Sequence, residues 1–184
     1  MRILIAYASK KGFAKRLADH IAQGCRAAGV APDLKDLKDS FKLFDYLHFV
    51  PFLPRSKASI DHDLPHYDLI FIGFEIHNIS QSSKLLEFIE GNDFGGKRVA
   101  LFCSYFINRK YLQRVVEKFE KRHAQVYNTI SLKRKGLDAF IGLGATDEND
   151  LIRAEAFAER TINNLLGRKI FKENEKGQIR NYRK

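Results

Sequence analysis

Apolar and polar positions along this chain follow two alternating rhythms. Ile3-Leu4-Ile5-Ala6-Tyr7, Leu69-Ile70-Phe71-Ile72-Gly73-Phe74 and Val99-Ala100-Leu101-Phe102-Cys103 are unbroken apolar runs, the mark of strands buried on both faces. Between the runs the period lengthens. Ala14, Leu17, Ala18, Ile21, Ala22, Cys25 and Ala28 form one stripe of an amphipathic helix, with Gly29 placed to end it. A helix from about Ser82 to Glu90 turns Leu85, Leu86 and Ile89 inward, and one from Arg109 to Arg122 buries Leu112, Val115, Val116 and Phe119. The last helix is expected to start with Thr146 as N-cap, Asp147 and Glu148 complementing the dipole, and to bury Leu151, Ala154, Ala158, Ile162 and Leu165. Pro32 to Leu37 and Val126 to Leu132 are further strand candidates.

Buried strands alternating with amphipathic helices predict an α/β, doubly wound, three-layer fold with a parallel sheet of five strands. The sequence has no internal repeat and no low-complexity tract. One domain is expected over residues 1–166, followed by a tail over 167–184.

Composition adds a basic surface: among 184 residues, 32 Lys and Arg against 22 Asp and Glu give +10. Half of that sits in GRKIFKENEKGQIRNYRK, Gly167 to Lys184, with seven basic and two acidic residues. This tail is either a solvated end or an anion-binding arm. Net charge alone points to nucleic acid, which is therefore not an expected partner. The N-terminal apolar run is shorter than a secretion signal or membrane span requires, pointing to the cytoplasm. Cys25 and Cys103 lack metal or redox-motif spacing and read as reduced, buried thiols. His62, Asp63 and His66 have no third ligand at a typical metal spacing, so no metal is expected.

In a doubly wound sheet the ligand lies outside the carboxyl ends of the strands, where strand order reverses. The loop that follows the first strand offers Ser9, Lys10, Lys11, Gly12 and Phe13 at a helix amino end, where amides and dipole favour an anion. It has neither GxGxxG nor GxxxxGK[ST]. A phosphate monoester is the better fit.

Ile3 to Gly12 (ILIAYASKKG), Tyr67 to Gly73 (YDLIFIG), Ser83 to Ile89 (SKLLEFI) and Gly96 to Cys103 (GKRVALFC) together resemble the flavodoxin-like family. The resemblance runs from Met1 to about Gly167 and implies strand order 2-1-3-4-5. It also implies FMN, the phosphate at Ser9, Lys10, Lys11, Gly12 and Phe13 and the ring among His77, Asn78, Ser104, Tyr105 and Phe106. The family's first loop usually carries Ser/Thr-x-Thr-Gly-Asn-Thr; here Lys11, Phe13 and Ala14 replace a hydroxyl, an amide and a second hydroxyl. Either Lys10 and Lys11 supply charge in place of those hydrogen bonds, or the phosphate site is eroded. Ile79 stands where the second loop usually has glycine, and the third loop lacks the glycines of many relatives. His77 either stacks on a ring or is a loop histidine without a ligand.

The segment Ser40 to Lys57 is dense in aromatics and reads as a crossover helix and loop, forming a hydrophobic wall or a face for a dimer mate in a homodimer. Two functions follow. One is an FMN-binding electron carrier or small flavin-dependent reductase or oxidase, acting with a redox partner protein or a small-molecule acceptor. The other is a flavin-free binding module on the same fold. No general acid, base or covalent nucleophile is legible, and a redox role for Cys103 ranks below a buried core position.

Overall fold

The computed structural model describes residues 1–9, 12–37, 64–76, 83–105, 110–133 and 147–168. Five strands carry the fold: β1 (Ile3–Tyr7), β2 (Asp33–Asp36), β3 (Leu69–Ile76), β4 (Arg98–Tyr105) and β5 (Gln125–Lys133). The helices are α1 (Phe13–Ala27), α2 (Ser83–Gly91), α3 (Lys110–Glu120) and α4 (Glu148–Leu165). The strands form one parallel sheet in the order β2-β1-β3-β4-β5, as expected.

Alternation along each strand divides the core in two. Leu4, Ala6, Ile70, Ile72, Phe74, Leu101 and Cys103 pack with α2 and α3. Ile3, Ile5, Tyr7, Leu69, Phe71, Ala100 and Phe102 pack with α1 and α4. The central strands are mostly apolar because both faces are covered. β5 closes one edge; up to Ile130 its positions alternate exposed with half-buried, and Leu132 alone in the strand is buried.

Local departures from the expected pattern have physical causes. In α2, Phe88 is buried beside Leu85 and Ile89, while Leu86 is half-buried. Phe94, in the turn before β4, meets Phe88 edge-on at 5.8 Å and Phe119 at 5.1 Å, drawing that face of the helix inward. α4 is capped by Asp147, not by Thr146, which lies outside the described residues: the Asp147 carboxylate accepts from the Asn149 amide at 3.0 Å. Leu151 and Leu165 are only half-buried, and Phe157 and Thr161 join Ala154, Ala158 and Ile162 in the core. Thr161 is admitted because its hydroxyl donates to the Phe157 carbonyl and accepts from Asn128 of β5.

Two glycines set the packing around β1. Gly24 lets α1 lie directly on α4, since a Cβ there would overlap the Glu155 carbonyl oxygen. Gly73 leaves room for the Phe102 ring, which lies where a Cβ would stand. Neither Cys25 nor Cys103 is in a disulfide, both are buried, and burial pushes the Cys25 thiol up to about 12. Among the described residues, no helix is long and apolar enough to cross a membrane, and no group of three His, Cys, Asp or Glu side chains is placed to hold a metal. The crossover segment Ser40 to Lys57, His62, Asp63 and the tail beyond Arg168 lie outside the described residues.

Candidate functional site

The carboxyl ends of β1 and β3 lie side by side, in register from Ile3 and Leu69 to Tyr7 and Gly73. β1 holds on to β3 one residue further, through the Ala8 amide to the Gly73 carbonyl at 2.9 Å. β2 is on the other side of β1, joined past its end by the Leu37 amide to the Tyr7 carbonyl. Strand order therefore reverses at β1, and the chain leaving β1 opens into the crevice between its two connections.

That chain enters α1 through Gly12, whose φ of 80° is left-handed and inexpensive only for glycine. Gly12 has no side chain to cap the helix, and the first turn of α1 contains no acid. The cap comes from β3. Glu75 extends from the α1 face of the strand, the side shared by Leu69, Phe71 and Gly73, and its Oε1 accepts from the Ala14 amide at 3.1 Å. The same oxygen accepts from the Ser9 hydroxyl at 2.8 Å. Ser9 is 3% exposed and Glu75 2%, so a carboxylate lies buried at the amino end of a helix, with a hydroxyl and an amide converging on one of its oxygens. Such a position suits an anion twice over, through first-turn amides that have no acceptor within the helix itself and through the helix dipole.

The residues expected to form a site are distributed unevenly around this corner. Ser9 and Gly12 are at its centre. Phe13 is half-buried, its side chain packed against the core beneath α1 and α4. Ser104, fully buried in β4, is the register partner of Glu75, so it stands beside the same corner. Tyr105 pairs in register with Ile76 and packs against the core on the α2 and α3 face. Lys10, Lys11, His77, Asn78 and Phe106 lie outside the described residues. Lys15, in the first turn of α1, is turned elsewhere: its ammonium bridges to Asp19 at 2.9 Å, and that hydrogen bond raises its pKa.

Glu75 had no role assigned from sequence. The signal was present, because it is the one charge in LIFIGFEI, the whole of β3. A carboxylate in a strand buried on both faces must have a partner. At the opposite, amino end of the sheet, Tyr67, Asp68, Lys97, Arg98 and Gln125 line a shallow depression, but there the Lys97 ammonium is tied to the Pro65 carbonyl at 2.7 Å.

No protein-family model matches the sequence, and no curated protein does. Solved structures do. Oxidised flavodoxin 2 from Bacillus cereus is 22% identical, with a TM-score of 0.62 over 90% of this chain and 99% of that one. The flavodoxin of Megasphaera elsdenii, in its two-electron reduced form, is 19% identical, with a TM-score of 0.59 over 88% and 98%. A WrbA-like flavodoxin from Agrobacterium tumefaciens is 16% identical, with a TM-score of 0.60 over 91% and 99%. This chain has the flavodoxin-like fold. At these identities the likeness is one of architecture, and the chemistry of the flavodoxin-like corner has to be argued from Ser9, Gly12 and Glu75 themselves.

Proposed function

We propose that this protein is a flavodoxin-like redox protein that takes FMN at the carboxyl edge of β1, β3 and β4. The observation that supports it best is the strand order β2-β1-β3-β4-β5, with its reversal at β1 opening on the amino end of α1. Sheets of this kind receive ligands at that crevice. In this reading Ser9, Lys10, Lys11, Gly12 and Phe13 form the phosphate side, and His77, Asn78, Ser104, Tyr105 and Phe106 the ring side. When bound, FMN supplies the electron-transfer chemistry, and the protein supplies orientation, exclusion of water and tuning. The electrons pass between a redox partner protein or a small-molecule acceptor and the bound group.

The donors at α1 suit an oxyanion, since a hydroxyl and a helix amide already hold one. With Glu75 in place they do not fit a second. Two unit charges about 4 Å apart repel by about 4 kcal/mol at an effective dielectric of about 20, so a phosphate beside Glu75 is held weakly unless the carboxylate withdraws. A second reading draws on the same residue: a flavodoxin-fold binding module without flavin, its anion position filled from within.

A visible spectrum decides between them. Purified protein incubated with FMN or with riboflavin, then desalted, is expected to keep a flavin band close to stoichiometric with at least one of the two. Loss of the band with both refutes the redox reading and leaves the module.

A further inference from the structure

We infer that Glu75 determines specificity at this site: its carboxylate is a built-in occupant of the α1 amino end and sets the corner against phosphate, so that a flavin is held through its ring. The identity of the ligand rests on the redox reading above. The occupancy of the corner does not.

Three observations carry the inference. Glu75 interrupts a strand whose other residues are apolar or glycine, at a position facing α1. Burying a charge there is costly, and two hydrogen bonds answer part of that cost: the Ser9 hydroxyl and the Ala14 amide, from two different segments, meet on one oxygen. Gly12 contributes no side-chain cap and the first turn of α1 has no acid, so a carboxylate from another strand takes the place of a local cap. Donors already engaged by an internal anion give an incoming phosphate little, and the fixed negative charge opposes it.

The test compares FMN with riboflavin, which differ only by the phosphate, by fluorescence titration of the full chain. In the wild type FMN is expected to bind no tighter than riboflavin. In Glu75→Ala, which frees both donors and removes the charge, the preference for FMN is expected to rise by about tenfold. A wild type that already prefers FMN to the same degree as Glu75→Ala overturns the inference. If the alanine variant does not fold, Glu75→Gln keeps the shape and both hydrogen bonds without the charge. Its preference for FMN is expected to rise above wild type, and an unchanged preference overturns the inference.

Inorganic phosphate gives a readout that needs no flavin. Millimolar phosphate is expected to raise the Tm of Glu75→Ala and leave the wild type where it is, at matched ionic strength. An equal rise in both overturns the inference, whatever the flavins do. If neither flavin binds either protein while phosphate stabilises only the variant, the redox reading fails and the assignment of Glu75 stands.

Discussion

Replacing Gly24 with alanine sets two effects of opposite sign against each other. In the interior of an isolated helix the change is favourable by about 1 kcal/mol, because glycine loses more backbone freedom on folding. In α1 the new methyl would overlap the Glu155 carbonyl oxygen and stand 3.0 Å from the Ala158 Cβ. A backbone atom cannot swing away as a side chain can, so α1 and α4 must part by about 1 Å, which costs about 2–3 kcal/mol, the upper part of the usual range for overpacking. Clash is expected to win, leaving Gly24→Ala about 1–2 kcal/mol less stable than the wild type. With an m-value of about 2 kcal/mol/M, the urea midpoint falls by roughly 0.5–1 M. Circular dichroism during urea unfolding measures it. Gln23→Ala, one residue away on the exposed side of α1, is the control and is expected to move the midpoint little. A Gly24→Ala protein more stable than wild type by the propensity gain would refute close contact of α1 with α4.

Gly73→Ala is expected to cost about 2 kcal/mol, because its Cβ would enter the Phe102 ring, and Phe102→Leu in the same chain should recover part of the loss. Strictly additive losses in that double-mutant cycle would count against the contact. Asp147→Ala removes the α4 cap and is expected to lower stability by about 1 kcal/mol, a fall in Tm of roughly 2–4 °C by calorimetry. Cys25 and Cys103 are expected to resist a thiol reagent in the native protein and react fully in denaturant, since both are buried. Because burial raises the Cys25 pKa from 9.0 to about 12, the folded state favours the neutral thiol. Its contribution to stability is therefore present below pH 9 and declines as pH climbs toward 12, and alkaline unfolding midpoints of Cys25→Ala against wild type measure it.

Architecture was legible because it depends on long, repetitive patterns. Ile3 to Tyr7 and Val99 to Cys103 could be little other than strands covered on both sides, and the stripe from Ala14 to Cys25 predicts the buried face of α1 in all but Gly24. Departures arose where one side chain answers to a distant one. Phe88 displaces Leu86 from the core because Phe94 is there to meet it. Thr161 counts as polar in any pattern and is buried because Asn128, on another element, offers a hydrogen bond. The site was least legible for the same reason. Ser9 and Gly12 were identifiable from their loop, but the partner that defines their chemistry is the carboxylate of Glu75, 66 residues from Ser9 along the chain. Sequence alone shows the charge in β3 and not what it touches.

The caps of α1 and α4 also differ in when they can form. Asp147 reaches the Asn149 amide two residues on, so α4 can close its first turn as soon as it nucleates. Glu75 reaches the Ala14 amide across 61 residues, so the beginning of α1 is completed only after β3 has docked on β1 and the entropy of that large loop has been overcome. The first turn of α1 and the last residues of β3 are therefore expected to behave as one cooperative unit, assembled late and opened together, although they lie in different elements.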